Sequence, residues 1–203
     1  MTNANALRTR ILAARDAQTP EEIIEKSRAI DENLRSLDQL RRSHTIFAYV
    51  SFRSEVDTTG LIDELLAAGK KVAVPVTRVK DKRLDVISIT SREKDLVPGY
   101  CRIPEPRREL WQTAMVAEEE IEIILLPGSV FDLRGGRFGY GGGYYDRFLE
   151  RNPQALRIGL AFDLQVVNEA PLATHDQLLD LVITESRVIE GVRSQLLTGK
   201  IER

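Results

Sequence analysis

Six glycines, Gly135, Gly136, Gly139, Gly141, Gly142 and Gly143, fall within nine residues, out of 13 in the whole chain. That density exceeds ordinary turn usage. Glycine permits positive φ and close backbone approach. Successive N–H groups in such a loop can form a nest for an anion, reinforced by the N-terminus of a following helix. Arg134 and Arg137 flank the nest and can add charge-assisted bonds to phosphate. Asp146 lies three residues beyond it and can hold a metal ion that bridges phosphates. The chemistry these types suggest is the handling of a nucleotide's phosphates. The loop is neither standard phosphate motif: G-x-x-x-x-G-K-[ST] is absent, and G-x-G-x-x-G from Gly139 would need glycine where Tyr144 stands. The plainer alternative is a flexible surface loop.

The elements that must position this loop are legible in outline. Ala6 to Ala17 reads as a helix with Leu7, Ile11, Leu12 and Ala14 on one side. Thr19-Pro20-Glu21-Glu22 restarts a helix, with Thr19 as cap and Glu22 completing a capping box. It is expected to run to about Leu40, with Ile23, Ile30, Leu34 and Leu37 inward. Thr45 to Ser51 reads as a buried strand. A helix from Asp57 or Thr58 ends at Gly69, and Lys71 to Val76 is the next strand. Leu84 to Ile89 alternates like a half-buried strand, and the proline-rich stretch from Val97 to Arg108 reads as loop. Ile121 to Leu126, Arg157 to Ala161 and Leu181 to Thr184 are further strands, with a helix from about Tyr144 to Glu150. Strands alternating with helices imply an α/β fold with a mostly parallel sheet covered on both faces. Ligands then sit at the carboxyl ends of strands, after Ser51, Val76, Leu126 and Phe162.

Composition narrows the function classes. At 203 residues, 42% hydrophobic and 30% charged, the chain reads as one globular domain spanning 1–203. A net charge of -2, without a block of like charges, argues against a nucleic-acid binder. One cysteine, Cys101, rules out an intrachain disulfide and a thiolate zinc cluster. With no signal-peptide core and no run long enough for a membrane span, the expectation is a cytoplasmic protein with no membrane partner. Trp111, Cys101 and His44 belong to no motif and read as structural or surface residues.

Longer strings then become distinctive. Leu126-Pro127-Gly128, Phe131-Asp132 and Arg137-Phe138-Gly139-Tyr140-Gly141-Gly142-Gly143-Tyr144-Tyr145-Asp146 together resemble the signature of the 5-formyltetrahydrofolate cyclo-ligase family. Ser51 to Thr58 is similar to that family's S-x-x-x-E-[VIL]-[DE]-T segment, and Gly69 to Pro75 to its G-K-x-V-x-x-P strand. Glu105-Pro106, Gly159 to Gln165, His175-Asp176 and Val182 to Thr184 match in the same order. The resemblance covers about Leu7 to Thr184. It implies a three-layer sandwich of the NagB/RpiA/CoA-transferase-like kind. It also implies a monomeric enzyme that uses ATP and Mg²⁺ to convert 5-formyltetrahydrofolate, with or without a polyglutamate tail, to 5,10-methenyltetrahydrofolate, ADP and phosphate.

The same resemblance implies roles for particular residues. Arg137, Phe138, Gly139, Tyr140, Gly141, Gly142, Gly143, Tyr144 and Tyr145 line the ATP phosphates, with Arg8 reaching them from the first helix. Asp146 and Asp176 are the Mg²⁺ ligands. Glu55 is the folate-site carboxylate, Val50 an apolar wall beside it, and Tyr140 to Tyr144 face the folate from the loop. Glu55, Arg137 and Tyr144 form the catalytic set, and His175 is a neighbour of the metal site. Each role has a bland rival. Glu55 or Asp146 could serve only a helix N-terminus, Asp176 could be a surface acid, Arg8 a solvated helix arginine, and Tyr144 or Tyr145 a core aromatic. The chain departs from the family pattern at Ala4, where the family carries a phosphate-binding lysine. That favours a relative that binds without turnover as one rival. A sugar-phosphate isomerase or CoA-transferase on the same kind of fold is the other, because fold alone does not fix function.

Overall fold

The computed structural model describes residues 3–194. In chain order it contains α1 (Asn3–Asp16), α2 (Pro20–Arg35), α3 (Asp38–Arg42), β1 (Thr45–Ala48), α4 (Thr59–Ala67), β2 (Lys71–Arg78), β3 (Arg83–Ile89), α5 (Arg92–Asp95), β4 (Leu96–Pro98), β5 (Pro104–Pro106) and α6 (Leu110–Thr113). Then follow β6 (Ile123–Leu126), β7 (Val130–Asp132), β8 (Arg137–Phe138), α7 (Tyr144–Arg151), β9 (Leu156–Leu160), β10 (Val166–Val167), β11 (Leu181–Ile183) and β12 (Val188–Glu190).

Seven strands form the central sheet in the order β12-β11-β9-β6-β1-β2-β3. The five inner strands run parallel, while β3 and β12 close the edges antiparallel. The period-two geometry of a strand sends alternate residues to opposite faces. On β1, Ile46 and Ala48 join Ile30, Leu34, Ile62 and Leu65 under α2 and α4. Phe47 points the other way, against Phe148 of α7, with ring centroids 4.5 Å apart. Helices on both faces make the three layers that the resemblance implies. A parallel sheet with β-branched residues in its middle buries both faces, which is why its strands read as continuous apolar runs.

Several elements differ from the sequence reading. The helix expected to reach Leu40 ends at Arg35, and α3 is a separate turn, although the Thr19–Glu22 capping box is present as read. On α1, Ala14 faces solvent and Arg15 is the buried residue one position on. Strand β3 is almost wholly buried rather than half-buried. The 114–116 segment covers its outer edge, with Ser88 N donating to Ala114 O at 2.8 Å. Asp85 is tolerated inside because Arg78 and Arg83 both pair with it. The proline-rich stretch contains the β4–β5 pair instead of only loop. A small second sheet, β10-β7-β8, sits beside the glycine loop and has no periodicity by which it could be read. Among the described residues no helix is long and apolar enough to cross a membrane.

Candidate active site

The functional candidates collect at the carboxyl ends of β1, β6 and β9, the crevice where parallel sheets bind ligands. The end of β2 does not take part: there Glu105, itself buried, accepts the N–H of Thr77 at 2.9 Å and fixes the β4–β5 pair.

After β1 the chain makes a braced loop. Ser51 N donates to Thr58 Oγ1 at 3.0 Å, Thr58 N to Ser51 Oγ at 3.2 Å, and Thr58 Oγ1 to Tyr49 O at 2.9 Å. Ser51 Oγ and Thr59 N both donate to Asp57 Oδ1. The serine, aspartate and threonine of this segment are therefore a frame, and Glu55 is the residue it presents. Glu55 Oε2 accepts the N–H of Phe52 at 3.1 Å, and Oε1 accepts the hydroxyl of Tyr140 at 3.1 Å. Burial pushes the Glu55 carboxyl above its ordinary value, opposed by the Arg15 guanidinium and by these two hydrogen bonds. Val50 is buried in the core at the mouth of the same loop.

After β6 the chain turns at Gly128, packs β7 into the small sheet, and makes the 132–136 turn. Asp132, fully buried, accepts the N–H groups of Arg134, Gly136 and Ala170 at 2.9, 2.7 and 2.9 Å. Gly135 has φ +84, and a Cβ there would lie 2.4 Å from Leu179 O. At Gly136 a Cβ would lie 2.7 Å from Asp132 Oδ2. These two glycines serve the turn and belong to packing rather than to the nest. Arg134 is likewise held, by Asp132 and Glu169.

The loop proper starts at Arg137 and ends at α7. Gly141 and Gly143 have φ +88 and +62, conformations that side chains seldom adopt. Arg137 is buried, 4% exposed, and its Nε has no hydrogen-bond partner among the described residues. Its Nη2 lies 3.0 Å from Asp146 Oδ1, and its guanidinium sits over the Tyr145 ring at 5.4 Å. Arg8 donates to Gly139 O at 3.3 Å and lies over the Phe138 ring at 5.2 Å, so it belongs to the loop rather than to solvent. Tyr144 is half-buried, its ring against Gly142. Tyr145 is the core aromatic, packed against both hydrophobic clusters, and burial pushes its phenol upward. Tyr140 is half exposed, with burial of its hydroxyl and the neighbouring Glu55 pushing it up to about 12.

Asp146 Oδ1 also accepts the N–H of Gln177 at 3.3 Å, which brings the Asp176 segment beside the first turn of α7. Asp176 Oδ2 accepts the N–H of Ala173 at 2.7 Å, and exposed His175 lies 3.8 Å from Oδ1. Beside Asp176 opens a cavity of about 450 Å³, walled by Pro171, Leu172, Leu178 and Val192. Among the described residues no three His, Cys, Asp or Glu side chains gather as a metal cage. The Gln177 N–H ties the chain next to Asp176 to Asp146, and carboxylates of this kind suit an oxygen-seeking cation that arrives with phosphate oxygens and waters of its own.

One residue escaped sequence reading. Arg15 is 4% exposed, and its Nε donates to Ser54 Oγ at 3.1 Å, next to Glu55. In sequence it is a helix arginine between Ala14 and Asp16; only its heptad spacing from Arg8, placing both on one helix face, hints at the site.

The chain matches the model of the 5-formyltetrahydrofolate cyclo-ligase family over residues 1–185. It is 30% identical over 178 residues to the 5-formyltetrahydrofolate cyclo-ligase of Escherichia coli K12, across 87% of this chain and 97% of that one. The NMR structure of Aquifex aeolicus 5,10-methenyltetrahydrofolate synthetase superimposes with a TM-score of 0.80 at 32% identity, covering 92% of each chain. A 5,10-methenyltetrahydrofolate synthetase from Mycoplasma pneumoniae shares the fold, with a TM-score of 0.72 at 24% identity over 91% of this chain and 99% of that one.

Proposed function

We propose that this chain, which belongs to the 5-formyltetrahydrofolate cyclo-ligase family, closes the formyl group of 5-formyltetrahydrofolate onto N10 at the expense of ATP. The observation that carries the reading is the Tyr140–Glu55 hydrogen bond of 3.1 Å. It joins the middle of the glycine loop to a carboxylate that comes from the far side of the crevice. Phosphate-handling groups thus stand on one flank of Tyr140 and a folate-binding acid on the other.

The chemistry needs such a junction. A formamide oxygen is a poor nucleophile, and a formamide carbon a poor electrophile. Transfer of the γ-phosphoryl group to that oxygen makes it a leaving group. N10 then attacks the carbon and loses its proton, the C–O bond breaks, and phosphate departs, leaving the methenyl bridge and ADP. The protein's main tasks are to align the two substrates and to neutralise phosphate charge.

Arg137 supplies a buried guanidinium with a free Nε–H for phosphate oxygens. Gly139, Gly141, Gly142 and Gly143 bring backbone N–H groups close, and Phe138, Tyr144 and Tyr145 wall the loop. Arg8 holds Gly139 and adds positive charge where Ala4 supplies none. Asp146 and Asp176 are the carboxylates that would hold Mg²⁺; bound there, the cation would offset charge on the nucleotide's phosphates. Glu55 accepts donor N–H groups of the reduced pterin, with Val50 as an apolar wall. Tyr140 orients Glu55, and Tyr144 contacts the folate from the loop.

The test is an absorbance assay for methenyl product from purified protein, 5-formyltetrahydrofolate, ATP and Mg²⁺. Product that requires both ATP and Mg²⁺ supports the reading. Folate binding without product contradicts it and favours a non-catalytic relative.

A further inference from the structure

We propose that Arg15 is a positioning residue for this reaction, bracing through Ser54 the loop that presents Glu55 to the folate and tying that loop to the turn after β6. The inference deepens the folate-site reading and rests on it. Arg15 lies on α1, outside every segment that carries the family signature, and is 4% exposed. Its Nε donates to Ser54 Oγ at 3.1 Å, and its Nη1 to Gly128 O at 3.5 Å, the turn after β6. Nη2 lies 3.9 Å from Asp16 Oδ1, which also accepts the Ser54 hydroxyl.

A guanidinium carries five donors in a rigid fork. Ser54 and Gly128 accept one N–H each, Asp16 is a charge contact at 3.9 Å, and the Arg15 charge acts on Glu55 and on the Tyr140 hydroxyl. Arg15 reaches a single carbonyl, at the limit of hydrogen bonding, and its shortest bond goes to Ser54, next to Glu55. One cation therefore links α1, the loop after β1 and the turn after β6.

The charge matters as well as the fork. The groups around Glu55 are Arg15 from α1, Tyr140 from the glycine loop, Tyr49 from the end of β1 and Tyr145 from α7. Asp16 and Asp57 add negative charge further out, and Arg137 lies beyond Tyr145. Among the groups around Glu55, Arg15 is the cation whose field opposes the burial that favours the protonated acid.

The experiment compares Arg15→Met and Arg15→Lys with wild type, each alone and combined with Glu55→Gln. It measures kcat/KM for formylfolate against pH, KM for ATP, and Tm. Arg15→Met should raise the formylfolate KM about tenfold or more, the scale of a charge-assisted bond. It should also move the acid limb of kcat/KM to higher pH and leave the ATP KM within about twofold. Arg15→Lys should keep the acid limb in place while the formylfolate KM still rises, because lysine keeps the charge and loses the fork. In the Glu55→Gln background Arg15→Met should move no acid limb and cost less than in wild type. An unmoved acid limb in Arg15→Met, or a cost that adds in full to that of Glu55→Gln, overturns the assignment. If Arg15→Met does not fold, an Arg15→Lys enzyme with unchanged formylfolate KM overturns it instead. A wild-type enzyme that makes no methenyl product overturns the functional reading, an outcome distinct from failure of the Arg15 assignment alone.

Discussion

Arg137 Nη2 sits 3.0 Å from Asp146 Oδ1, so the residue proposed to meet phosphate and a residue proposed to hold Mg²⁺ neutralise each other. Both are shielded, with side-chain exposures of 4% and 17%. The pair keeps a buried cation from standing alone before nucleotide arrives. Binding of Mg-ATP would exchange one partner for two: phosphate oxygens for Arg137, the metal for Asp146.

Removing either member should therefore act on nucleotide use and not on folate binding. Asp146→Ala is expected to lower Mg-ATP-dependent kcat by at least about a hundredfold, and Arg137→Met to raise the ATP KM by about tenfold to a hundredfold. Steady-state kinetics at limiting Mg²⁺ checks both, and near wild-type rates for Asp146→Ala would remove it from the metal site. Asp146→Ala should also lose stability, of the order of 3 kcal/mol, because it leaves the Arg137 charge buried and unpaired. Arg137→Met, which removes that charge, should lose less by chemical denaturation.

Glu55→Gln tests the other flank. It should raise the formylfolate KM by about tenfold or more and leave ATP binding unchanged. Because burial holds the Glu55 pKa above its unfolded value, the folded state favours the protonated acid. The stability this contributes is fully present below the unfolded pKa and is lost as pH rises through the folded one. Glu55→Gln should then have a Tm at neutral pH equal to or above that of wild type, with the advantage vanishing in acid. A lower Tm at neutral pH would mean that the carboxylate serves the fold.

Tyr140→Phe removes the hydroxyl that reaches Glu55 and little else, since the ring is half exposed. A few-fold to about tenfold rise in formylfolate KM is expected, on the scale of one hydrogen bond to a charged group, with Tm unchanged. Isothermal titration with formylfolate reads the change without turnover. Unaltered affinity would detach the loop from the folate end.

Two glycines separate the turn from the nest. Gly136→Ala forces a Cβ to within 2.7 Å of both Asp132 Oδ2 and Leu172 Cδ1. It should cost about 1–3 kcal/mol, or several degrees of Tm, with kinetic constants of the surviving enzyme near normal. At Gly141 a Cβ meets nothing nearer than Arg8 Nη1 at 3.5 Å, but φ is +88. Gly141→Ala should raise the ATP KM by about tenfold while moving Tm less, because a side chain here opposes the loop's shape and not its packing.

The core and the loop were legible for different reasons. Strands β1, β2 and β6 announce themselves as apolar runs because both faces of a parallel sheet are covered. The stretch from Arg137 to Asp146 is legible because glycine, arginine, aromatic and carboxylate types rarely coincide so tightly. Arg15 is not legible, because a buried arginine and a solvated one look alike on a helix, and Ala14 beside it continues the apparent apolar side of α1. Asp85 concealed the burial of β3 for the matching reason: its compensating partners Arg78 and Arg83 become visible only once the β2–β3 hairpin brings them round. The division of six glycines between turn and nest was also hidden, since Leu179, which excludes a side chain at Gly135, lies far along the chain.

The most direct test is a crystal structure with Mg-ADP and 5-formyltetrahydrofolate bound together, a pair that cannot turn over. Diphosphate oxygens on the N–H groups of Gly139 to Gly143 and on Arg137, the cation between Asp146 and Asp176, and the pterin against Glu55 is the predicted arrangement. An intact Arg137–Asp146 pair, with both ligands bound away from the loop, would contradict it.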